Sequence, residues 1–283
     1  FKALTVYLQA YFSQDCEYSI GKLLVEGYLH QPYSWFLGRN SADLSKNILS
    51  EVEEVVGAGF NPMMVLITQS AVTIALLILL ILVDTKLTII VALTLGASYV
   101  ILFKIIRNFI EKIGYERLRN NQQRYKSVSE AFGAFKEVKV GGLEQVYIER
   151  FSVSANTYAK NKAIIQVISQ LPRFILEMIA FGGMVLMVLF LMTKVSNLAN
   201  ALPIIALYAF AGYRLLPALQ QIYGSISQLK FIGPAINHLR NDLNSLRPIK
   251  IYEDNQTISF EKEISLKNAY YNYPNSSRQA LKN

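Results

Sequence analysis

Four long stretches of this sequence carry almost no charge, and no other feature limits its fold so sharply. Pro62 to Val83 and Leu87 to Phe103 contain no charged residue, Phe174 to Met192 contains only Glu177, and Leu198 to Leu229 only Arg214. A bilayer core about 30 Å thick needs about 20 apolar helical residues to cross it, so these runs predict four full membrane spans. In hydrocarbon, backbone groups must be satisfied within helices or closed barrels, and the runs are too long for barrel strands. Residues 1–247 are therefore expected to hold no β-strand. Ala3 to Gln14 is also uncharged but too short. With no Met ahead of Phe1, it reads as the end of a further span whose beginning is missing. A large soluble helical core fits poorly: only 17% of the residues are charged, against about a quarter in soluble domains.

The net charge is +8, and its location matters more than its size. Lys104, Arg107, Lys112, Arg117, Arg119, Arg124, Lys126, Lys136 and Lys139 crowd one segment, whereas the short connections at 84–86 and 193–197 carry only Lys86 and Lys194. Lys and Arg near span ends mark the cytoplasmic side. The short turns thus face outward and the long segments face the cytoplasm. Because the basic residues flank spans, topology explains them and nucleic acid is not an expected partner. Cys16 stands alone, and His30 and His238 are isolated, so neither an intramolecular disulfide nor a metal site is expected.

No proline falls between Met63 and Leu171. A helix rises about 1.5 Å per residue, so Lys86 to Val140 could reach about 80 Å, over twice the membrane thickness. Its basic part must then stand in the cytoplasm. Gly141-Gly142 is the expected break, followed by a second long helix that re-enters the membrane near Pro172. A similar hairpin, broken around Pro32 and Gly38, precedes Pro62. Gly141 to Phe151 is expected to form a short helix at the cytoplasmic tip. Beyond Pro248, Ile258 to Tyr273 reads as short alternating strands followed by turn residues Pro274 to Ser277. The expected organisation is a membrane domain over 1–247, a linker over 248–257 and the truncated start of a second domain over 258–283.

Long helices, tiny outer turns, deep cytoplasmic hairpins and a trailing β segment together resemble the ABC exporters. "YLHQPYSWFLGRNSADLSKNILSEVEEV" is similar to the family's first cytoplasmic loop, with Pro32, Trp35 and Phe36 in matching places. "FKEVKVGGLEQVYIERF" is similar to its second coupling loop, and "ISLKNAYYNYPNSSRQALKN" to the opening strand of its ATP-binding domain. The resemblance implies an all-α membrane fold running from a truncated second span through the sixth, plus the first β-strands of a nucleotide-binding domain. It also implies that Tyr33, Trp35, Phe36, Gly141, Gly142 and Glu144 couple to the ATPase domain, and that Tyr273 stacks on adenine. "SQLPRFILEMIAFGG" and "GYRLLPALQQIYGSI" resemble flippases of lipid-linked oligosaccharides, in which basic residues meet the lipid pyrophosphate. By that likeness Arg214, Arg173, Glu177 and Lys2 are candidate substrate-cavity residues, while Gln221 stands where a further Arg would be expected.

Physically, Arg214 is the sharpest of these. An arginine at mid-membrane costs at least about 2.5–3.5 kcal/mol, so it must face a cavity or a partner. Either it forks onto an anion or it pairs with Glu177 on the adjacent span. Arg173 and Glu177 are four apart, on one helical face, which favours a local pair. Trp35 is either an interfacial anchor or a knob that docks into the ATPase domain.

The expected function is the membrane half of an ATP-driven exporter of a lipid-linked oligosaccharide or other lipid or polysaccharide precursor, in the bacterial plasma membrane. A second identical or related half and the membrane lipid are the implied partners. ATP with Mg is the implied cofactor, bound by the missing part of the ATP-binding domain, and this segment holds no catalytic residue. A peptide or drug exporter on the same scaffold is the first alternative. A non-transporting membrane scaffold or regulator with a degenerate ATPase is the second.

Overall fold

The computed structural model describes residues 2–83, 85–194, 198–246, 263, 268–272 and 279–281. All four apolar runs are helical wherever described. The elements are α1 (Lys2–Leu29), α2 (Tyr33–Phe36), α3 (Ser41–Lys46), α4 (Val52–Val55), α5 (Asn61–Val83), α6 (Thr85–Gly133), α7 (Phe135–Gly141), α8 (Glu144–Lys194) and α9 (Leu198–Ser245). Two widened π turns, Asn47–Glu51 and Val56–Phe60, join α3, α4 and α5 into one rod. The rod Ser41–Val83 and the stretch Thr88–Gly133 are long and apolar enough to cross a membrane.

At about 1.5 Å per residue, the 49 residues of α6 and the 51 of α8 give rods of about 75 Å, more than two bilayer cores. The four long helices α5, α6, α8 and α9 pack together, α6 along α8 and α5 along α9. By contrast, α1 rests on α4 and the two π turns.

The packing is apolar inside at the charged end of the bundle and apolar outside in the spans. Leu24, Tyr28, Val52, Val56 and Leu239 form one buried cluster, and Ile110, Ile113, Ile165, Ile168 and Phe231 another. In the spans, Ile67, Ile74, Leu82, Ile90, Leu93, Phe174, Met178 and Leu186 are exposed. Water would penalise that surface by about 25 cal/mol per Å², whereas lipid or a partner helix would not. The chain is therefore a membrane protein by its own surface chemistry.

The breaks fall where proline and glycine place them, with one correction. The chain bends between α1 and α3 around Pro32 and Gly38, and again at Gly142. The short helix, however, is α7, before the glycine break, rather than 141–151, since α8 already starts at Glu144. Gly142 sits at φ 60°, ψ 33°, and its flanking amides close a Schellman cap: Leu143 N–H donates to Val138 O at 2.9 Å. That cap ends α7 and frees the Leu143 carbonyl to accept from Val146 N–H at 3.1 Å, which starts α8 at once. The single long helix expected from Lys86 to Val140 is likewise interrupted at Ala134, φ −118°, next to Gly133. A Cβ in the left-handed region costs about 1–2 kcal/mol. Gly142→Ala should therefore speed amide hydrogen exchange at Leu143 roughly ten-fold, while Gly96→Ala, at an open helical position, should not.

Among the described residues no strand precedes Tyr271. Tyr271–Asn272 pairs antiparallel with Gln279–Leu281. Tyr273 and the segment 248–257 lie outside the described residues.

Candidate functional site

Among the described residues, three places hold polar groups of interest: a cavity, an arginine in an apolar run, and a knot of buried charges at the charged end of the bundle.

The cavity, about 830 Å³, opens between α1, the start of α5, α8 and α9. Glu17, Glu53, Glu54, Asn61, Lys162, Gln166, Gln221 and Gln228 supply most of its polar lining. Lys162 Nζ donates to Glu54 Oε2 at 3.0 Å. Burial works against that ammonium, yet the Glu54 carboxylate outweighs it and raises the Lys162 pKa. With Lys162 neutralised, Glu17 and Glu53 leave the lining acidic. Gln221 is held by Gln69, whose Nε2 donates to it at 2.8 Å.

Arg214, Arg173 and Glu177 do not line this cavity. Arg173 Nε donates to Glu177 Oε1 at 2.7 Å along α8, the local pair that their spacing favours. Arg214 is exposed on α9, and among the described residues no acidic group stands within ion-pairing distance of it. Its neighbour Leu215 is buried against Leu80, which fixes this turn of α9 on α5. Lys2 lies in the first turn of α1, and its side chain is outside the described residues.

Of the three aromatic residues beside Pro32, only Tyr33 projects, at 74% exposure. Trp35 turns inward. Its ring lies 5.5 Å from that of Tyr28, with the Arg39 guanidinium 4.2 Å over it. At the other hairpin tip Val140 is exposed and Lys139 Nζ donates to Glu144 Oε1 at 2.9 Å across the Gly142 turn. That hydrogen bond, with one from Glu144's own backbone N–H, holds the Glu144 carboxyl below its usual pKa.

Sequence reasoning missed the knot of charges. Arg117 Nη2 meets Glu51 Oε2 at 2.9 Å, and both side chains are 0% exposed. Asn121 Nδ2 donates to Glu51 Oε1 at 2.7 Å and Arg124 to Asn121 Oδ1 at 2.7 Å. Nearby, Asp242 on α9 accepts from Tyr28 Oη, from Arg39 Nη1, and from Asn47 Nδ2 at 3.1 Å. Burial opposes the Asp242 charge, but Tyr28 and Arg39 outweigh it and hold its pKa below the ordinary value. Burial also lowers the pKa of Lys46, against the pull of Glu51 and Asp43. The one signal in the sequence was the density of charge and amide in 39–54, which reads equally well as a solvated face.

Comparison with known proteins agrees with this architecture. Residues 1–201 match the family described as ABC transporter transmembrane region. The chain is also 28% identical over 149 residues to an ATP-dependent lipid A-core flippase of Cupriavidus metallidurans. That match covers 53% of this chain and 25% of the flippase, so the chain spans a minor part of that relative's length.

Proposed function

The chain belongs to the family of ABC transporter transmembrane regions, and on that premise we propose that it forms the membrane-embedded part of an exporter that moves a lipid-linked, anionic precursor across the bacterial inner membrane. The spans are multi-pass, with the second hairpin tip in the cytoplasm because Lys and Arg crowd on its arms, and the first on the same side because two spans, α5 and the start of α6, separate them. A second identical or related half completes the pathway. ATP with Mg supplies the free energy by closing the ATPase domains.

One observation carries the substrate class: Arg214 is exposed on a span and, among the described residues, has no acidic partner, Glu177 being paired with Arg173 along its own helix. A guanidinium so placed is costly in hydrocarbon, and a phosphate or pyrophosphate headgroup relieves that cost bidentately. The likeness to a lipid A-core flippase supports a lipid cargo without naming it. Charge-assisted hydrogen bonds contribute about 1.5–3 kcal/mol. Arg214→Ala is thus expected to lower phospholipid-analogue flipping and lipid-stimulated ATP hydrolysis about ten-fold or more in proteoliposomes of the intact transporter. Arg214→Lys should recover only part, since a point charge replaces a fork. Misassembly of Arg214→Ala and of Arg214→Lys alike would make the arginine a packing residue and end the headgroup reading.

The acidic, amide-rich cavity favours a second reading, a peptide or drug exporter on the same scaffold. Stimulation of ATP hydrolysis by cationic peptides, lost in Glu53→Gln, would select it.

A further inference from the structure

The segment 33–40 cannot hold its own shape. Its helix α2 has four residues, flanked by non-helical stretches at both ends, and isolated helices shorter than about 12 residues are marginal even with good sequences. Its position must come from outside. Two anchors are visible. Trp35 packs on Tyr28 under the Arg39 guanidinium, and Arg39 Nη1 donates to Asp242 Oδ1. Asp242 is 5% exposed and belongs to the last turn of α9, the helix that leads toward the β segment. The same carboxylate accepts from Tyr28 on α1 and from Asn47 in the first π turn.

We propose that Asp242, through Arg39, is a positioning residue that locks the segment carrying Tyr33 to the end of α9, so that the two move as one body. This rests on the exporter reading above, in which exposed Tyr33 meets the ATPase domain. Force from that domain then reaches the spans by two linked routes, the Tyr33 segment and α9 itself. The Arg39 bond keeps them in register, and a half-buried ion pair does this better than apolar packing because it fixes direction as well as distance.

The test uses the intact transporter in proteoliposomes of phosphatidylethanolamine and phosphatidylglycerol, with a fluorescent short-chain phosphatidylglycerol as cargo probe. A nitroxide attached at Leu37→Cys, an exposed position of the same segment, in a Cys16→Ser background reports local motion. Arg39→Gln is expected to mobilise the label and to lower lipid flipped per ATP hydrolysed at least about five-fold, the lower end of typical coupling between sites. Asp242→Asn, which keeps the side chain's shape, should do the same, and Arg39→Lys should restore much of the ratio. A folded Arg39→Gln protein with an unmoved label and an unchanged ratio overturns the proposal. If Arg39→Gln does not fold, Asp242→Asn decides by the same two readouts. Tyr33→Ala separates the two ideas. If it lowers the ratio while Arg39→Gln and Asp242→Asn do not, only the lock is wrong. If Tyr33→Ala leaves the ratio unchanged, the docking reading fails, and the lock falls with it as a coupling device.

Discussion

Glu51→Ala should lower the unfolding free energy by about 3–5 kcal/mol, because it strands a guanidinium in a site closed to solvent. Arg117 is 0% exposed, and among the described residues its Nε and Nη1 lack hydrogen-bond partners and Glu51 is the carboxylate it meets. Asn121 Nδ2 also loses an acceptor. Folded domains are stable by only about 5–15 kcal/mol, so the variant should unfold near ambient temperature in detergent or fail to assemble. Removing both charges is a different matter. Replacing a buried ion pair by apolar groups of similar volume is often neutral. Glu51→Leu combined with Arg117→Met should therefore regain most of the thermal midpoint lost by Glu51→Ala. A double variant as unstable as the single one would show that packing, not the stranded charge, carries the effect.

The second large effect is expected at Gly114. A Cβ there would stand 2.3 Å from the carbonyl oxygen of Phe231, a backbone atom that cannot swing aside. Small residues at helix crossings let backbones approach in this way, and here α6 meets α9 beside the buried cluster of Ile110, Ile113 and Phe231. Gly114→Ala must push the two helices apart, at a cost of about 1–3 kcal/mol for the overpacking. Arg117 lies one turn further along α6 and would shift away from Glu51 as well. At Gly96 on the same helix a Cβ would meet only open space, so Gly96→Ala serves as the comparison. Thermal unfolding of the two variants side by side should separate them by several degrees. Equal midpoints would mean that the helices do not cross this closely.

The helical architecture was legible because hydrocarbon leaves so little choice. A run without charge can only be a span, and a pair such as Arg173 and Glu177 four residues apart can only be neighbours. Pro32, Gly38 and Gly142 marked the breaks for equally local reasons. Which side of Gly142 holds the short helix was not legible. That depends on the Leu143 amide finding Val138 O, which spends the cap on α7 and lets α8 begin immediately. Nor could the buried charges be found. Arg117 and Glu51 are 66 residues apart, and Arg39 and Asp242 are 203 apart. A charged residue on the polar arm of a long helix has the same local context whether it meets water or another helix. Only the crossing of the rods turns Glu51 and Asp242 inward. Trp35 shows the same limit, since docking outward and packing inward both suit an aromatic beside a proline, and Arg39 with Tyr28 draws it inward.

The two π turns make length and phase separable along the rod Ser41–Val83. Each wide turn takes in one residue more than an α-helical turn would, while the helix above and below keeps its original faces. The 43 residues therefore present their lipid-facing and bundle-facing stripes as a helix two residues shorter would. Glu51 ends the first such turn and Asn47 begins it. Both side chains are buried, where this rod meets α9 through Asn47 and α6 through Glu51, so the rod contributes to the knot without giving up its stripes.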